Sequence, residues 1–308
     1  FEEIGYLEVD TPILAKKIIP EPTLDLLQTV VHRAEGERGA TVVLLPSPEL
    51  YMKRLLAAGS GSIFQFSRCF RDYEPASRLH NHEFLMLEWY TMEANYIDSL
   101  DMTEALLARI CERCAVPEPL LRSVSPPFER ITIDEAFEKY AEIDLKACDE
   151  TGSLARAAGR LGIVARESDD WNELFHLILV THIEPNLRKD RPVVLLDYPA
   201  RVGCLAKLKG NRRERWELYL NGIELANCFS EAVSPVEVAE YFEREGAQLE
   251  SAGRGAQTDV SFPDLYDGTH PPCSGVAMGI DRLIMALAGA ESIQEVMPFG
   301  DITTGSAG

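Results

Sequence analysis

Two arginines and a set of glutamates are the side chains of this chain best suited to act on a charged substrate. Arg71 closes an alternating stretch, Ser62–Arg71, and Glu88 and Tyr90 lie in a second, Glu83–Tyr90. In the first, Phe64, Phe66 and Phe70 fall on one face and Gln65, Ser67, Cys69 and Arg71 on the other. In the second, Leu85, Leu87 and Trp89 share a face, and Phe84, Met86, Glu88 and Tyr90 share its opposite. Two strands joined by a polar loop are expected, with an apolar back and a front that sets Arg71, Glu88 and Tyr90 beside aromatic carbon. A carboxylate among apolar neighbours is either paired or waits for a cationic ligand. The alternative is a solvated sheet whose charges face water, the ordinary state of an antiparallel sheet's polar face.

The chemistry open to such a set is nucleotide-driven activation. Attack of a carboxylate on an α-phosphate joins two anions and needs cations on the phosphates, which Arg71, Arg282 and a magnesium ion could supply. A substrate with two ammonium groups needs several carboxylates, and Glu49, Glu88 and Glu231 are available. No nucleophilic side chain is required, because positioning and electrostatics carry such a step.

The elements that must position these groups belong to a soluble-type composition. The chain has 308 residues, 46% hydrophobic and 26% charged, enough for one large domain or two small ones. No apolar run reaches membrane-spanning length, so no membrane partner is expected. Seven scattered cysteines argue against a disulfide framework and for a cytoplasmic home. Cys111 and Cys114 form a CxxC within a helical pattern, and without a second pair two helix-face thiols are the expected reading. A net charge of -20 argues against broad nucleic-acid binding, although Lys207–Arg213 is a local basic run.

Taken in order, Tyr6–Pro12 reads as a strand ended by proline, and residues 17–40 as irregular chain. Val42–Leu45 is a short strand. Ser47-Pro48 then starts a helix that runs through Leu56 to a stop at Gly59 and Gly61. Asp98–Cys114, Asp134–Tyr140, Ser153–Leu161 and Trp171–Thr181 read as helices. A helical insertion at about 98–190 within one domain of 1–308 is expected. Val193–Leu196 and Arg215–Leu220 are strands, and Asn221-Gly222 is a hairpin signal. On the return strand Asn227, Phe229 and Glu231 share a parity that Glu224 does not. Both glutamates can serve one site only if the strand bulges between them; otherwise Glu224 is a surface charge. Ser234-Pro235 opens an acidic helix to about residue 252. Cys273–Gly279 is a small-residue strand that turns into the helix Leu283–Ala288. Arg282 falls in the first turn of that helix, where a cation is disfavoured unless an anion binds beside it.

Together these stretches resemble the class II aminoacyl-tRNA synthetase catalytic core, and within it the lysyl branch. Gly5–Pro12 is similar to the end of that family's motif 1. Phe70-Arg71 with Glu74, His80-Asn81 and Glu83-Phe84 is similar to motif 2, and Gly275 through Arg282 to motif 3. Ser47–Arg54, Met86–Tyr90 and Gly222–Asn227 resemble the lysyl-type signatures. Ser47-Pro48-Glu49, Glu88-Trp89-Tyr90 and Cys273–Ala277 resemble more closely the stand-alone paralogue family, the elongation factor P–(R)-β-lysine ligases, which lack the anticodon-binding domain. Two departures stand out. Glu74 comes one residue later than the family's Arg-x-Glu spacing, so either Glu74 or Tyr73 fills that slot. Cys228 stands where many relatives have glycine.

The resemblance implies an α+β fold, an antiparallel sheet with flanking helices, a homodimer through motif 1, and ATP with magnesium. It implies that Arg71 holds the α-phosphate and Arg282 the γ-phosphate. It places Asp72, Tyr73, Glu74, His80, Asn81, Leu225 and Gly279 around the nucleotide, with Phe84 stacked on adenine. It gives Glu224 and Glu231 to the metal, and Ser47, Glu49, Glu88, Tyr90, Asn227, Phe229, Glu231 and Ala277 to the amino-acid pocket. Lysyl-tRNA synthetases typically carry glycine at the Ala277 position and the stand-alone paralogues alanine.

Four functions compete at this point. The leading one is activation of a lysine-like amino acid as an adenylate and its transfer to a lysine of elongation factor P, with no tRNA involved. The others are a lysyl-tRNA synthetase core whose anticodon domain is missing here, a non-catalytic ligand-binding paralogue, and an ammonia-using amidoligase. The retained arginines and glutamates weigh against the third, and the lysyl-type carboxylates against the fourth.

Overall fold

A computed structural model of the chain describes residues 1–32, 34, 38–72, 77–166, 168–251, 257–266 and 270–299. Tyr73 and Glu74, the two candidates for the motif 2 slot, lie outside the described residues. In chain order the strands and helices are β1 (Leu7–Glu8), β2 (Leu14–Ala15), β3 (Lys17–Ile18), β4 (Gln28–Val31), β5 (Ala40–Leu44), α1 (Glu49–Ala57), β6 (Ile63–Phe70) and β7 (Glu83–Met92). There follow α2 (Tyr96–Arg113), α3 (Glu118–Val124), β8 (Glu129–Thr132), α4 (Ile133–Ala141), α5 (Thr151–Arg160) and α6 (Trp171–Ile178). The remainder are β9 (Val193–Pro199), β10 (Leu208–Lys209), β11 (Arg212–Leu220), β12 (Ile223–Ser230), α7 (Pro235–Ser251), β13 (Gln257–Thr258), β14 (Cys273–Gly279) and α8 (Ile280–Ala288). The fold is α+β. Packing divides it into two units, residues 1–95 with 230–308, and residues 96–229.

In the first unit β7 pairs antiparallel with both β6 and β14, and β1 runs parallel to β6. The registers put Gln65 opposite Glu88 and Ile63 opposite Tyr90, so the polar front read from alternation forms a single face. That polar face is buried: Gln65, Ser67, Glu88 and Tyr90 are all covered, as are Phe64, Leu87 and Trp89 on the back. The apolar back is partly open, with Phe66 50% exposed. Burial therefore follows what α1 packs against rather than residue polarity, and Met52 and Leu56 of α1 join Ile63, Tyr90 and Cys273 in one core cluster. The irregular stretch expected over 17–40 is corrected at β3 and β4. All four residues of β4 are exposed, so Gln28–Val31 carries none of the in–out alternation by which strands are recognised.

In the second unit β11 pairs antiparallel with β12, β9 and β10, and β8 lies parallel to β9. Its core stacks Phe175 between Phe137 and Trp171, with ring centroids 4.9 and 5.4 Å apart. Capping boxes open two of its helices, Thr132 with Glu135 at α4 and Asp170 with Glu173 at α6. The turn from β11 to β12 uses Asn221 and Gly222 at φ of 54° and 75°, the left-handed pair that a tight hairpin demands. The pairing then shifts register between Leu218 and Tyr219, leaving Leu225 as an extra residue of β12. This bulge turns Glu224 to the side of the strand that carries Asn227 and Phe229, all three half-buried while their neighbours are covered.

Candidate active site

In the first unit three carboxylates gather at the start of α1 and on the buried face of the sheet. Ser47 begins the arrangement. Its hydroxyl accepts from the Glu49 amide at 3.0 Å, as a helix start requires, and donates to Glu88 Oε2 at 2.6 Å. Tyr90 donates to the other oxygen, Glu88 Oε1, at 2.7 Å. Both partners of Glu88 are neutral hydroxyls, and its side chain is buried. Burial pushes the Glu88 carboxyl up, the nearby Glu49 charge adds to the push, and the group reaches about 8.

Glu49 and Glu231 share Lys53. The Lys53 ammonium lies 2.5 Å from Glu49 Oε1, one helical turn away, and 2.7 Å from Glu231 Oε2. Burial pulls the Lys53 ammonium down, but the charges of Glu231 and Glu49 outweigh it and raise the group well above its ordinary value. Glu231 is pushed up to about 7, first by burial and further by Glu49, against the pull of Lys53. Gly275 explains how Glu231 and Tyr90 reach these places. A Cβ there would stand 2.5 Å from Glu231 Oε1 and 2.5 Å from Tyr90 Cε1, so only glycine leaves room for both. Lys53 and Gly275 went unassigned in the sequence. The i,i+4 spacing of Glu49 and Lys53 was a signal, but such pairs usually sit on a helix surface.

A second group in the same unit surrounds the end of β6. Arg71 lies 5.2 Å over the Phe84 ring, and its buried Nε has no hydrogen-bond partner among the described residues. An orphaned guanidinium nitrogen is costly until an anion or another acceptor reaches it. Asp281, at the start of α8, accepts from the Leu85 amide at 2.6 Å and ties that helix to β7. Arg282 donates to Leu79 O at 3.3 Å and to His80 Nε2 at 3.0 Å, while His80 Nδ1 meets Ser77 Oγ at 2.7 Å. The cation in the first turn thus has a loop to hold as well as any anion. Asn81 donates to Glu83 O at 2.7 Å, and the Asp72 amide donates to Asp25 O at 2.9 Å. Ala277 and Gly279, both half-buried, stand opposite Glu88 and Met86 in the β14–β7 pairing.

The remaining candidates, Glu224, Leu225, Asn227 and Phe229, lie in the second unit. There Arg215 Nε donates to Asn227 Oδ1 at 3.2 Å, and its guanidinium sits 4.4 Å over Tyr198 and 5.4 Å over Phe229. Arg215 also donates to Glu217 Oε1 at 2.5 Å, and Tyr219 to Glu217 Oε2 at 2.7 Å. Burial pushes the Glu217 carboxyl up, Arg215 more than offsets this, and the group stays below its ordinary range. Arg215 and Glu217 are a buried pair that the sequence reading passed over; Glu217 stands directly across from Asn227. Among the described residues no three His, Cys, Asp or Glu side chains converge as a ready metal cage. A hard cation would here need oxygen ligands from a phosphate as well as from the protein.

The model of the family "tRNA synthetases class II (D, K and N)" matches residues 1–303. The chain belongs to the class II tRNA synthetases. Within that family its curated relatives include the "Elongation factor P--(R)-beta-lysine ligase" of Yersinia enterocolitica, 35% identical over 97% of this chain and 90% of that protein. Proteins of the same name from Mannheimia succiniciproducens and Salmonella dublin are 35% and 34% identical over the same shares. For a class II synthetase, the carboxylate cluster at α1 and the Arg71 guanidinium stacked on Phe84 are features of an amino-acid-activating ligase that uses ATP. Among the described residues no helix is long and apolar enough to cross a membrane.

Proposed function

We propose that this protein activates a lysine-like amino acid, (R)-β-lysine in the first instance, as an aminoacyl-adenylate and passes it to a lysine side chain of elongation factor P. The names of the relatives support the substrate and the acceptor. The observation that carries the reading is the imbalance at α1. Glu49 and Glu231 share the one Lys53 ammonium, and among the described residues Glu88 is hydrogen-bonded only to hydroxyls. A substrate with two ammonium groups gives the ionised carboxylates their partners, whereas a neutral side chain would leave Glu88 protonated and without a cation. Asn227 and Phe229 are assigned to the same substrate by resemblance.

Arg71 is assigned to the α-phosphate, since among the described residues its buried Nε lacks an acceptor, which a phosphate oxygen would provide. Arg282 is assigned to the γ-phosphate and carries the loop through Leu79 and His80 with it. Asp72, His80, Asn81, Phe84, Leu225 and Gly279 are assigned to the rest of the nucleotide, with Phe84 under adenine. Of the two glutamates given to magnesium, Glu224 suits it better: the bulge at Leu225 sets it beside Asn227, while Glu231 already meets an ammonium. When bound, magnesium would neutralise charge on the phosphates. Chain 1–308 is taken as one catalytic domain with a helical insertion, working as a homodimer in the cytoplasm. Exposed Ile4, Leu7, Ile13 and Leu14 in and beside the motif 1 stretch support a partner copy there, and the free state of all seven cysteines supports a reducing compartment. ATP–pyrophosphate exchange tests the reading: it should require a diamino acid, and exchange with none, or equally with norleucine, would refute it.

A further inference from the structure

The oddest side chain in the first unit is Lys53. A lysine is rarely fully buried, yet this one is 2% exposed at the centre of the carboxylate cluster. It is no surface i,i+4 pair, because its second partner, Glu231, follows β12 rather than lying on its own helix. Glu231 Oε1 occupies the space that a Cβ at Gly275 would take, and the Glu49 backbone amide donates to Ser47 Oγ at 3.0 Å. The groups facing the cluster come from every element around it: Glu49 and Lys53 on α1, Glu88 and Tyr90 on β7, Cys273 on β14, Glu231 and Tyr266. Among the described residues Lys53 is the cation that contacts these carboxylates.

We propose that Lys53 is a positioning and specificity-determining residue: a resident ammonium that holds Glu49 and Glu231 in place and leaves the pocket, once its three carboxylates are ionised, two positive charges short of neutrality. The substrate then has to bring two positive charges. This rests on the reading of the cluster as an amino-acid pocket, and names the residue that sets its charge count. Without the tether, two like charges in a dry site repel, turn apart or take up protons, and neither remains where a substrate ammonium needs it. Loss of Lys53 therefore damages recognition of the amino acid before it touches phosphate chemistry, for which Arg71 and Arg282 are separate.

The test measures pyrophosphate exchange with (R)-β-lysine and with α-lysine. Lys53→Met keeps the stem and removes the charge. It should raise KM for the diamino acid by about tenfold or more, with kcat and the KM for ATP within about threefold. Lys53→Ala should show the same loss, and ethylammonium added to the assay should restore KM while propanol does not. A packing role alone would lower kcat and melting temperature and would not distinguish the two additives. Should either variant fail to fold, Lys53→Met/Glu231→Gln replaces the buried ion pair by neutral groups of similar size, a change that folds commonly tolerate. Its KM should be no worse than that of Glu231→Gln alone. An unchanged KM in Lys53→Met, the absence of ethylammonium rescue, or additive losses in the double variant would overturn the proposal. If the unaltered enzyme exchanges with no diamino acid, the pocket reading has failed instead.

Discussion

Ala277 stands directly across from Glu88 in the antiparallel pairing of β14 with β7. Directly opposed residues project from the same face of a sheet, so the Ala277 methyl and the Glu88 side chain are cross-strand neighbours. Gln65 occupies the corresponding place on the other side of Glu88, from β6.

This relationship makes Ala277 the residue to change for isomer choice. One methyl occupies space needed by the α-amino group of α-lysine, whereas β-lysine carries its amine one carbon further along. A methyl in a pocket discriminates by about 1–3 kcal/mol. Ala277→Gly is expected to raise exchange with α-lysine relative to β-lysine while leaving the ATP requirement alone. An unchanged isomer ratio would move selectivity to Ser47 or to the strand at Cys228.

Arg71 and Arg282 are expected to be indispensable to adenylate formation. Arg71→Ala or Arg282→Ala should lower pyrophosphate exchange by at least ~100-fold, since each removes a charge aimed at phosphate in a dry site. Near-normal exchange in both variants would contradict the phosphate assignments.

The alternation of β6 and β7 was enough to assemble Arg71, Glu88 and Tyr90 on one face, because a period of two survives whatever packs on either side. The bulge at Leu225 was legible only as a condition: Glu224 could join Asn227 if an extra residue intervened, and one does. What could not be read was burial. Phe66 is exposed and Gln65 covered, because the element laid on the sheet decides which face is dry. Lys53 went unassigned, and its second partner is 178 positions along the chain, beyond any local pattern. Gly275 was read as part of a glycine-rich strand, while the reason for glycine is the close approach of Glu231 and Tyr90.

Glu231→Gln should weaken binding of the diamino acid and leave ATP binding nearly intact. It removes a charge-assisted interaction worth roughly 1.5–3 kcal/mol. Calorimetry with each ligand separates the cases, and an equal loss for both would assign Glu231 to the metal rather than to the substrate.

Glu88 predicts a pH dependence. Its carboxyl in the folded, unliganded protein lies near 8, above the 4.5 of an ordinary glutamate. Between those values the native state holds a proton that the unfolded chain has released, so this group's contribution to stability is present at low pH and falls as pH rises from about 4.5 through 8. Binding of an ammonium runs the other way, since only the carboxylate attracts it. KM for the diamino acid should therefore fall as pH rises from 6 towards 8, and the melting temperature gained from the diamino acid should grow over the same interval. Glu88→Gln should flatten both trends. Trends of the same size in Glu88→Gln would show that another group titrates.

The acceptor tests the account most directly. Enzyme, ATP, magnesium and radiolabelled (R)-β-lysine are incubated with elongation factor P in one reaction and with tRNA-Lys in another, and label in each acceptor is followed over time. The expected result is rapid, stable label on a lysine of elongation factor P and little on tRNA-Lys. Stable charging of tRNA-Lys at a rate comparable to that of elongation factor P, or no label on the protein despite active pyrophosphate exchange, would contradict it.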